Sequence, residues 1–179
     1  MQMRILVLVK QTPDAEASTG IAGDGMSLVV RESDCRMNGF DEFAVEEALR
    51  IREPLPGSSV DAASVSPSRV AAVLRRALAM GTDEGIHILY EEPLEPFPRI
   101  VTSLLTAFAR DRSYDLILAG VMSDDAMHAQ TGPMVVELLG IPCATAVVAE
   151  RLSPDNRRIS VERERQQKRL VAVYCRDQS

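Results

Sequence analysis

Asp115-Leu-Ile-Leu-Ala-Gly120, continued by Val121-Met-Ser-Asp-Asp-Ala-Met-His-Ala-Gln-Thr131 and then by Gly132-Pro133, is the stretch that decides how this chain is read. The apolar run predicts a short hydrophobic strand from Asp115 to Ala119. The polar residues after it predict a loop. The apolar spacing from about Gly132 to Leu139, closed by Gly140, predicts a helix. The loop therefore ends at a helix N-terminus, where unpaired backbone N–H groups and a partial positive charge suit a phosphate.

The rest of the chain supplies a framework for that junction. Met3–Val9 is apolar except for Arg4, as expected for a strand buried on both faces. Gln11–Glu32 is polar, and Gly20, Gly23-Asp24-Gly25 and Met26–Val30 predict a loop carrying a short hairpin. Asn38 is placed to cap a helix whose apolar face holds Phe40, Ala44, Ala48 and Ile51, with Val45 and Leu49 beside it. Asp41 stands in its first turn, and Pro54 and Pro56-Gly57 end it.

Val60–Val65 predicts a strand, followed by Ser66-Pro67 as an N-cap with proline at the first helical position. Val70, Val73, Leu74 and Ala77 form the buried stripe of that helix, and Gly81 is its C-cap. A strand at Gly85–Tyr90 follows. An acidic, proline-rich connector, Glu91–Pro98, then leads to a helix carrying Ile100, Val101, Leu104, Leu105 and Phe108. Alternating strands and helices predict a doubly wound, mostly parallel α/β sheet joined by right-handed crossovers. Ala144–Val148, Ile159–Glu162 and Leu170–Tyr174 predict a C-terminal antiparallel β meander at one edge of it.

Composition narrows the function. The 179 residues suit one domain, 1–179, with a substantial core; 46% are apolar and 26% charged. Twenty basic residues against 26 acidic ones give a net charge of −6, which argues against nucleic acid or an anionic membrane as partner. No apolar run reaches the ~20 residues of a membrane span, so no membrane insertion is expected. Cys35, Cys143 and Cys175 are widely spaced and odd in number, which points to no zinc or disulfide frame and to a cytoplasmic setting.

In such a sheet, ligands lie beyond the carboxyl ends of the strands where strand order reverses. Those ends are Leu8–Gln11, Ser64–Pro67 and Gly120–Thr131. A ligand there meets the backbone of Val65 and the helix start at Gln130–Gly132. Asp124 and Asp125 would repel a phosphate, so they are placed either at a sugar or as stabilisers of the loop. Asn38 is read as a helix cap that also lies within reach of a ligand. Glu46 and Glu47 share a solvated helix face, with Glu46 spaced to pair with Arg50. His87 sits in a strand and reads as structural. His128 lies in the loop, either solvated or donating to a phosphate. No catalytic or metal-ligating constellation can be assembled. There is neither a GxxxxGK[ST] loop nor a GxGxxG after the first strand, where Lys10-Gln-Thr-Pro13 stands instead.

Four segments together resemble the β subunit of electron-transfer flavoproteins. They are Val7-Leu-Val-Lys-Gln-Thr-Pro-Asp14, Met37-Asn-Gly-Phe-Asp-Glu-Phe-Ala-Val-Glu-Glu-Ala-Leu-Arg50, Ala77-Leu-Ala-Met-Gly-Thr-Asp83, and Asp115–Gly120 with Gln130-Thr-Gly-Pro-Met-Val-Val-Glu-Leu-Leu-Gly-Ile-Pro142. Their order covers about Met3 to Val148. The resemblance implies a sheet of the adenine-nucleotide α-hydrolase type. It also implies a heterodimer with an α subunit that holds most of the FAD site, and AMP or FAD bound by this chain. By position it puts adenylate contacts on Leu8, Asn38, Val65, Gln130 and Thr131, with Gly132 in the same helix start, and Phe40 near the flavin.

The pattern departs from the family in places. Asp125-Ala126-Met127 stands where a run of acids or Asp-Gly-Asp is usual, and Gly39 replaces a proline. Glu164-Arg-Gln-Gln-Lys-Arg169 replaces an acidic-Gly-Gly turn. The family continues past this point into a recognition loop and an arm, so the resemblance is to a short, C-terminally truncated member. A dehydrogenase or quinone-linked oxidoreductase is the implied redox partner, although the family's docking loop has no match in these residues. The competing reading is a stand-alone adenine-nucleotide-binding module, homodimeric in isolation. An adenylate-forming or hydrolytic enzyme is disfavoured by the missing glycine-rich loop.

Overall fold

The computed structural model describes residues 2–14, 16–17, 20–23, 25, 28–29, 31–68, 71–91, 97–155, 158–163 and 170–175. The first half of the chain forms β1 (Arg4–Leu8), β2 (Gln11–Pro13), β3 (Gly20–Ile21), β4 (Leu28–Val29), β5 (Cys35–Met37), α1 (Gly39–Arg52), β6 (Ser59–Ser66), α2 (Ala72–Met80) and β7 (Glu84–Leu89). The second half forms α3 (Pro98–Arg110), β8 (Leu116–Ala119), α4 (Thr131–Leu139), β9 (Val147–Leu152), β10 (Arg158–Arg163) and β11 (Leu170–Cys175).

The central sheet has four parallel strands in the order β7-β6-β1-β8. Strand side chains alternate between faces, and the two halves of the core follow that alternation. Ile5, Val7 and Val9 pack with Val45, Ala48 and Ile51 of α1 and with Val73, Leu74 and Ala77 of α2. Leu6 and Leu8 pack on the other face with Leu105 and Ala109 of α3 and Val135 of α4. Each valine, leucine or isoleucine among them, once removed from water, contributes about 1.5–3 kcal/mol. Helices on both faces of a parallel sheet make the doubly wound architecture expected from the sequence.

Several elements differ from the expectation for local physical reasons. Ser66 does not cap a helix. It extends β6 opposite Leu89, and its hydroxyl lies 3.0 Å from His87 Nε2, so α2 begins only at Ala72. Val70, expected on the buried stripe, lies outside the described residues, as do most of the Glu91–Pro98 connector and Asp24, Met26 and Val30 of the expected hairpin. Lys10-Gln-Thr-Pro13 is not simply a loop, because Gln11–Pro13 pairs antiparallel with Cys35–Met37. Arg50 bridges Glu47 at 3.2 Å rather than Glu46. Ile100 is partly exposed, while Thr102, Leu105, Thr106 and Ala109 supply the buried face of α3.

The C-terminal meander is present, ordered β11-β10-β9, but among the described residues it is a separate sheet and not an edge of the central one. Its first strand starts at Val147 rather than Ala144. Leu152 packs against the core, and Glu150 faces Glu47 of α1. Burial and the neighbouring Glu47 carboxyl push the Glu150 carboxyl up to about 7.

Candidate functional site

Strand order reverses between β1 and β8: the chain moves from β1 through β6 to β7 on one side, then crosses to β8 on the other. The loops leaving these two strands lead to helices on opposite faces of the sheet, and it is at such carboxyl ends that a sheet of this kind offers a crevice. Lys10 follows β1, and the 120–130 loop follows β8 and delivers the first turn of α4. The first N–H groups of α4, at Thr131 and Gly132, have no acceptor within their own helix. Gly132 lets this turn sit close to the strand, since a Cβ there would lie 3.2 Å from Ala119 Cβ.

Asn38 occupies the N-cap position of α1 but makes no side-chain cap. Its amide crosses to the far loop instead. Nδ2 donates to the Met122 carbonyl at 2.9 Å, and Oδ1 accepts the Asp124 N–H at 2.9 Å. Asp124 answers in kind, its Oδ2 accepting the Gly39 N–H at 2.8 Å. The start of α1 and the 120–130 loop are thus cross-capped. This corrects the simple N-cap expected for Asn38. A free helix end needs only a local acceptor, whereas here the buried Asn38 (1% exposed) must satisfy the loop as well.

Lys10 Nζ donates to Asp125 Oδ2 at 2.5 Å. Burial works against the Asp125 charge, but Lys10 and the Ser123 and Ala126 hydrogen bonds outweigh it and hold the carboxyl below its ordinary range. The loop closes on itself through Ser123: its N–H donates to the His128 carbonyl, and its carbonyl accepts the Met127 N–H. Met127 takes a left-handed conformation, φ 52°, and is 68% exposed.

The expected site residues therefore fall into two groups. Leu8 and Val65 stand at strand ends beside the crevice, Leu8 buried and Val65 half-buried. Gln130 is exposed, and Thr131 and Gly132 are half-buried at the start of α4. Asn38, Asp124 and Asp125 are engaged with the protein itself and shape the loop. Phe40 is half-buried, and its backbone lies under Gly120: a Cβ on Gly120 would come 2.8 Å from the Phe40 carbonyl carbon. His128 is exposed, and His87 keeps to its place beside Ser66.

Asp41 is a further residue of the site, beyond those expected from the sequence. It is 6% exposed, and its carboxylate joins the two strand ends. Oδ2 accepts the Lys10 N–H at 2.8 Å and Oδ1 accepts the Gly120 N–H at 3.1 Å. Burial raises its pKa to about 6 against the opposing pull of these hydrogen bonds, of Asn38 and of the Lys10 charge. A sequence signal existed, since Asp41 falls on the same helix face as Val45 and Ala48. A carboxylate on an apolar stripe implies buried donors.

The fold and its crevice define a doubly wound α/β protein with a helix N-terminus at the sheet's switch point. Residues 27–178 match the family model described as "Electron transfer flavoprotein domain". Among curated relatives, the chain is 37% identical over 164 residues to the mitochondrial electron transfer flavoprotein subunit beta of Oryza sativa subsp. indica. It is 35% identical over 162 residues to the subunit beta of Bradyrhizobium diazoefficiens, and 34% identical over 167 residues to that of Homo sapiens. These alignments take in 90–91% of this chain and 64% of each relative, so the chain spans about two thirds of their length. The chain belongs to the electron transfer flavoprotein family and resembles its β subunit. No helix among the described residues is long and apolar enough to cross a membrane.

Proposed function

We propose that this chain is a β-subunit-like electron-transfer component that binds an adenine nucleotide, AMP or FAD, in the crevice between β1 and β8. The observation that carries this reading is the start of α4 at the strand-order reversal, with the Thr131 and Gly132 N–H groups free of helical acceptors. Gln130, Thr131 and Gly132 would hold the phosphate side, and the backbones at Leu8 and Val65 would face the adenosine. Asn38, Asp124 and Asp125 keep the loop in position, and Phe40 lies beneath its first residue.

Residues 1–179 act in this reading as one unit that pairs with a flavin-bearing α subunit, which holds most of the FAD. The flavin supplies one-electron chemistry when bound, while this chain binds, orients and sets the local field. A dehydrogenase or quinone-linked oxidoreductase would exchange electrons with that complex. The widely spaced cysteines, with Cys35 and Cys143 in no disulfide among the described residues, suit a reducing cytoplasm.

Calorimetry of the nucleotide-stripped chain with AMP, ATP and FAD tests the site, and failure of all three to bind refutes it. Co-expression with an α subunit tests the pairing, with a yellow complex as the expected result. The alternative, a stand-alone nucleotide module, is favoured by Asp125-Ala126-Met127, which puts an exposed apolar residue where the family carries acids. It predicts nucleotide binding without any flavin-bearing partner.

A further inference from the structure

The Asp41 carboxylate bonds to the backbone just past the ends of both strands flanking the reversal, at Lys10 and at Gly120. Its contact with Gly120 is close enough that a Cβ there would collide with Asp41 Oδ1 and with Phe40. Gly120 follows Ala119, and Ala119 is the residue against which Gly132 seats the first turn of α4. Two contacts therefore connect Asp41 to the N–H groups at Thr131 and Gly132.

We propose that Asp41 is the positioning residue of the crevice and works as a proton-operated bolt: ionised, it holds the Lys10 and Gly120 amides together, and protonated, it releases Gly120 and lets the first turn of α4 drift from β8. This deepens the nucleotide-binding reading and rests on it for its effect on affinity.

The chemistry follows from the donors around the carboxylate. Two backbone N–H groups point at it, one to each oxygen, and the Asn38 side-chain amide adds to their pull. A proton on Oδ1 turns an acceptor into a donor facing the Gly120 N–H, so that bond, the longer of the two, is the one lost. Asn38 offers no replacement, because its Oδ1 already accepts the Asp124 N–H. Lys10 is the cation that faces the carboxylate, and its ammonium is bonded to Asp125. Asp124 is turned to the Gly39 N–H, and Glu42 of α1 pairs with Arg76 of α2. β8 contributes only the Gly120 amide. The burial-raised pKa of about 6 puts the switch within a physiological range.

The test uses the full chain with His128→Gln in every sample, which removes the loop's imidazole from the readout. FAD is the probe, because its phosphodiester lacks the second ionisation near pH 6 of a phosphate monoester. With Asp41 intact, FAD affinity is expected to fall about tenfold between about pH 7.5 and pH 5, one pKa unit's worth. Asp41→Asn is expected to bind weakly and equally at all these pH values. Parallel pH profiles for the two proteins overturn the proposal.

Amide exchange provides a ligand-free readout. Corrected for intrinsic rate and referred to Val60 in the core, protection at Gly120 and at Met134, whose N–H closes the first turn of α4 on the Gln130 carbonyl, should drop through the same interval only when Asp41 is present. Unchanging protection at Gly120 overturns the bolt even if FAD binds. No FAD binding at any pH refutes the nucleotide reading and leaves the bolt to the exchange data. If Asp41→Asn does not fold, the exchange profile of the Asp41-bearing chain decides alone.

Discussion

Asp124 caps α1 from 85 residues away: its carboxylate accepts the Gly39 N–H at 2.8 Å while its own N–H is held by Asn38. The helix start and the loop over the crevice are therefore one hydrogen-bonded unit. Asp124→Ala removes a single charged cap and is expected to cost about 1 kcal/mol. Asn38→Ala leaves both the Met122 carbonyl and the Asp124 N–H without a partner, and about 2–3 kcal/mol is expected. Urea denaturation of the two single variants and the double variant checks this. The double variant should lose less than the sum, because the pair shares one network.

Gly120 is required by space. A side chain there meets the Asp41 carboxylate and the Phe40 backbone, so Gly120→Ala must displace the end of β8 or the first turn of α1. The expected loss is about 2–3 kcal/mol, in line with overpacking of a close-packed site. Gly140 offers the contrast: its φ is 70° but a Cβ would meet nothing within 4 Å. Gly140→Ala should therefore cost only about 1 kcal/mol, the left-handed conformation alone. Thermal melts of both variants separate steric from conformational cost.

Stability should carry a signature of Asp41 between its ordinary pKa, 3.8, and about 6. The folded chain takes up this proton more readily than the unfolded chain. The group's contribution therefore falls as pH rises through that window, reaching a cost on the order of 3 kcal/mol above it. Asp125 has the opposite sign. Its lowered pKa adds stability above the ordinary carboxylate value, lost as pH falls through the depressed one. Denaturant midpoints measured from about pH 4 to pH 7 should show a slope that Asp41→Asn reduces, the share of Glu150 remaining, and an unchanged slope would rule the assignment out.

Gly132→Val tests the seat of α4. The added methyls press on Ala119 and tilt the first turn outward. We expect about a tenfold loss in AMP or FAD affinity, 1.4 kcal/mol, with a small shift in melting temperature. Wild-type affinity in this variant would remove Gly132 from the proposed site.

The parallel strands were legible because each is an apolar run long enough to declare itself, as Arg4–Leu8 and Leu116–Ala119 show. The β2–β5 pair was not legible. Gln-Thr-Pro and Cys-Arg-Met carry no periodicity, and their pairing is decided by where β1 ends and α1 begins. Ser66-Pro67 has the composition of a cap, but the pairing of Ser66 with Leu89 and its contact with His87 outweighed local preference. The candidate site was half visible. The helix start at Gln130–Gly132 follows from local pattern, whereas the roles of Asn38, Asp41 and Asp124 depend on partners more than 30 residues distant. A single sequence holds no direct trace of such partners.

The central place of β1 has a consequence for how the molecule is made. As the chain emerges during synthesis, β1, β6 and β7 are available early, but the other flank of β1 has no neighbour until Leu116–Ala119 arrives. Until then the nascent protein presents a bare strand margin of Ile5–Leu8, the kind of surface that recruits chaperones or sticks to a sister chain. The proposed ligand site is thus the last part of the sheet to exist, and a ribosome pausing before β8 would expose a three-stranded half-product that lacks one of its two walls.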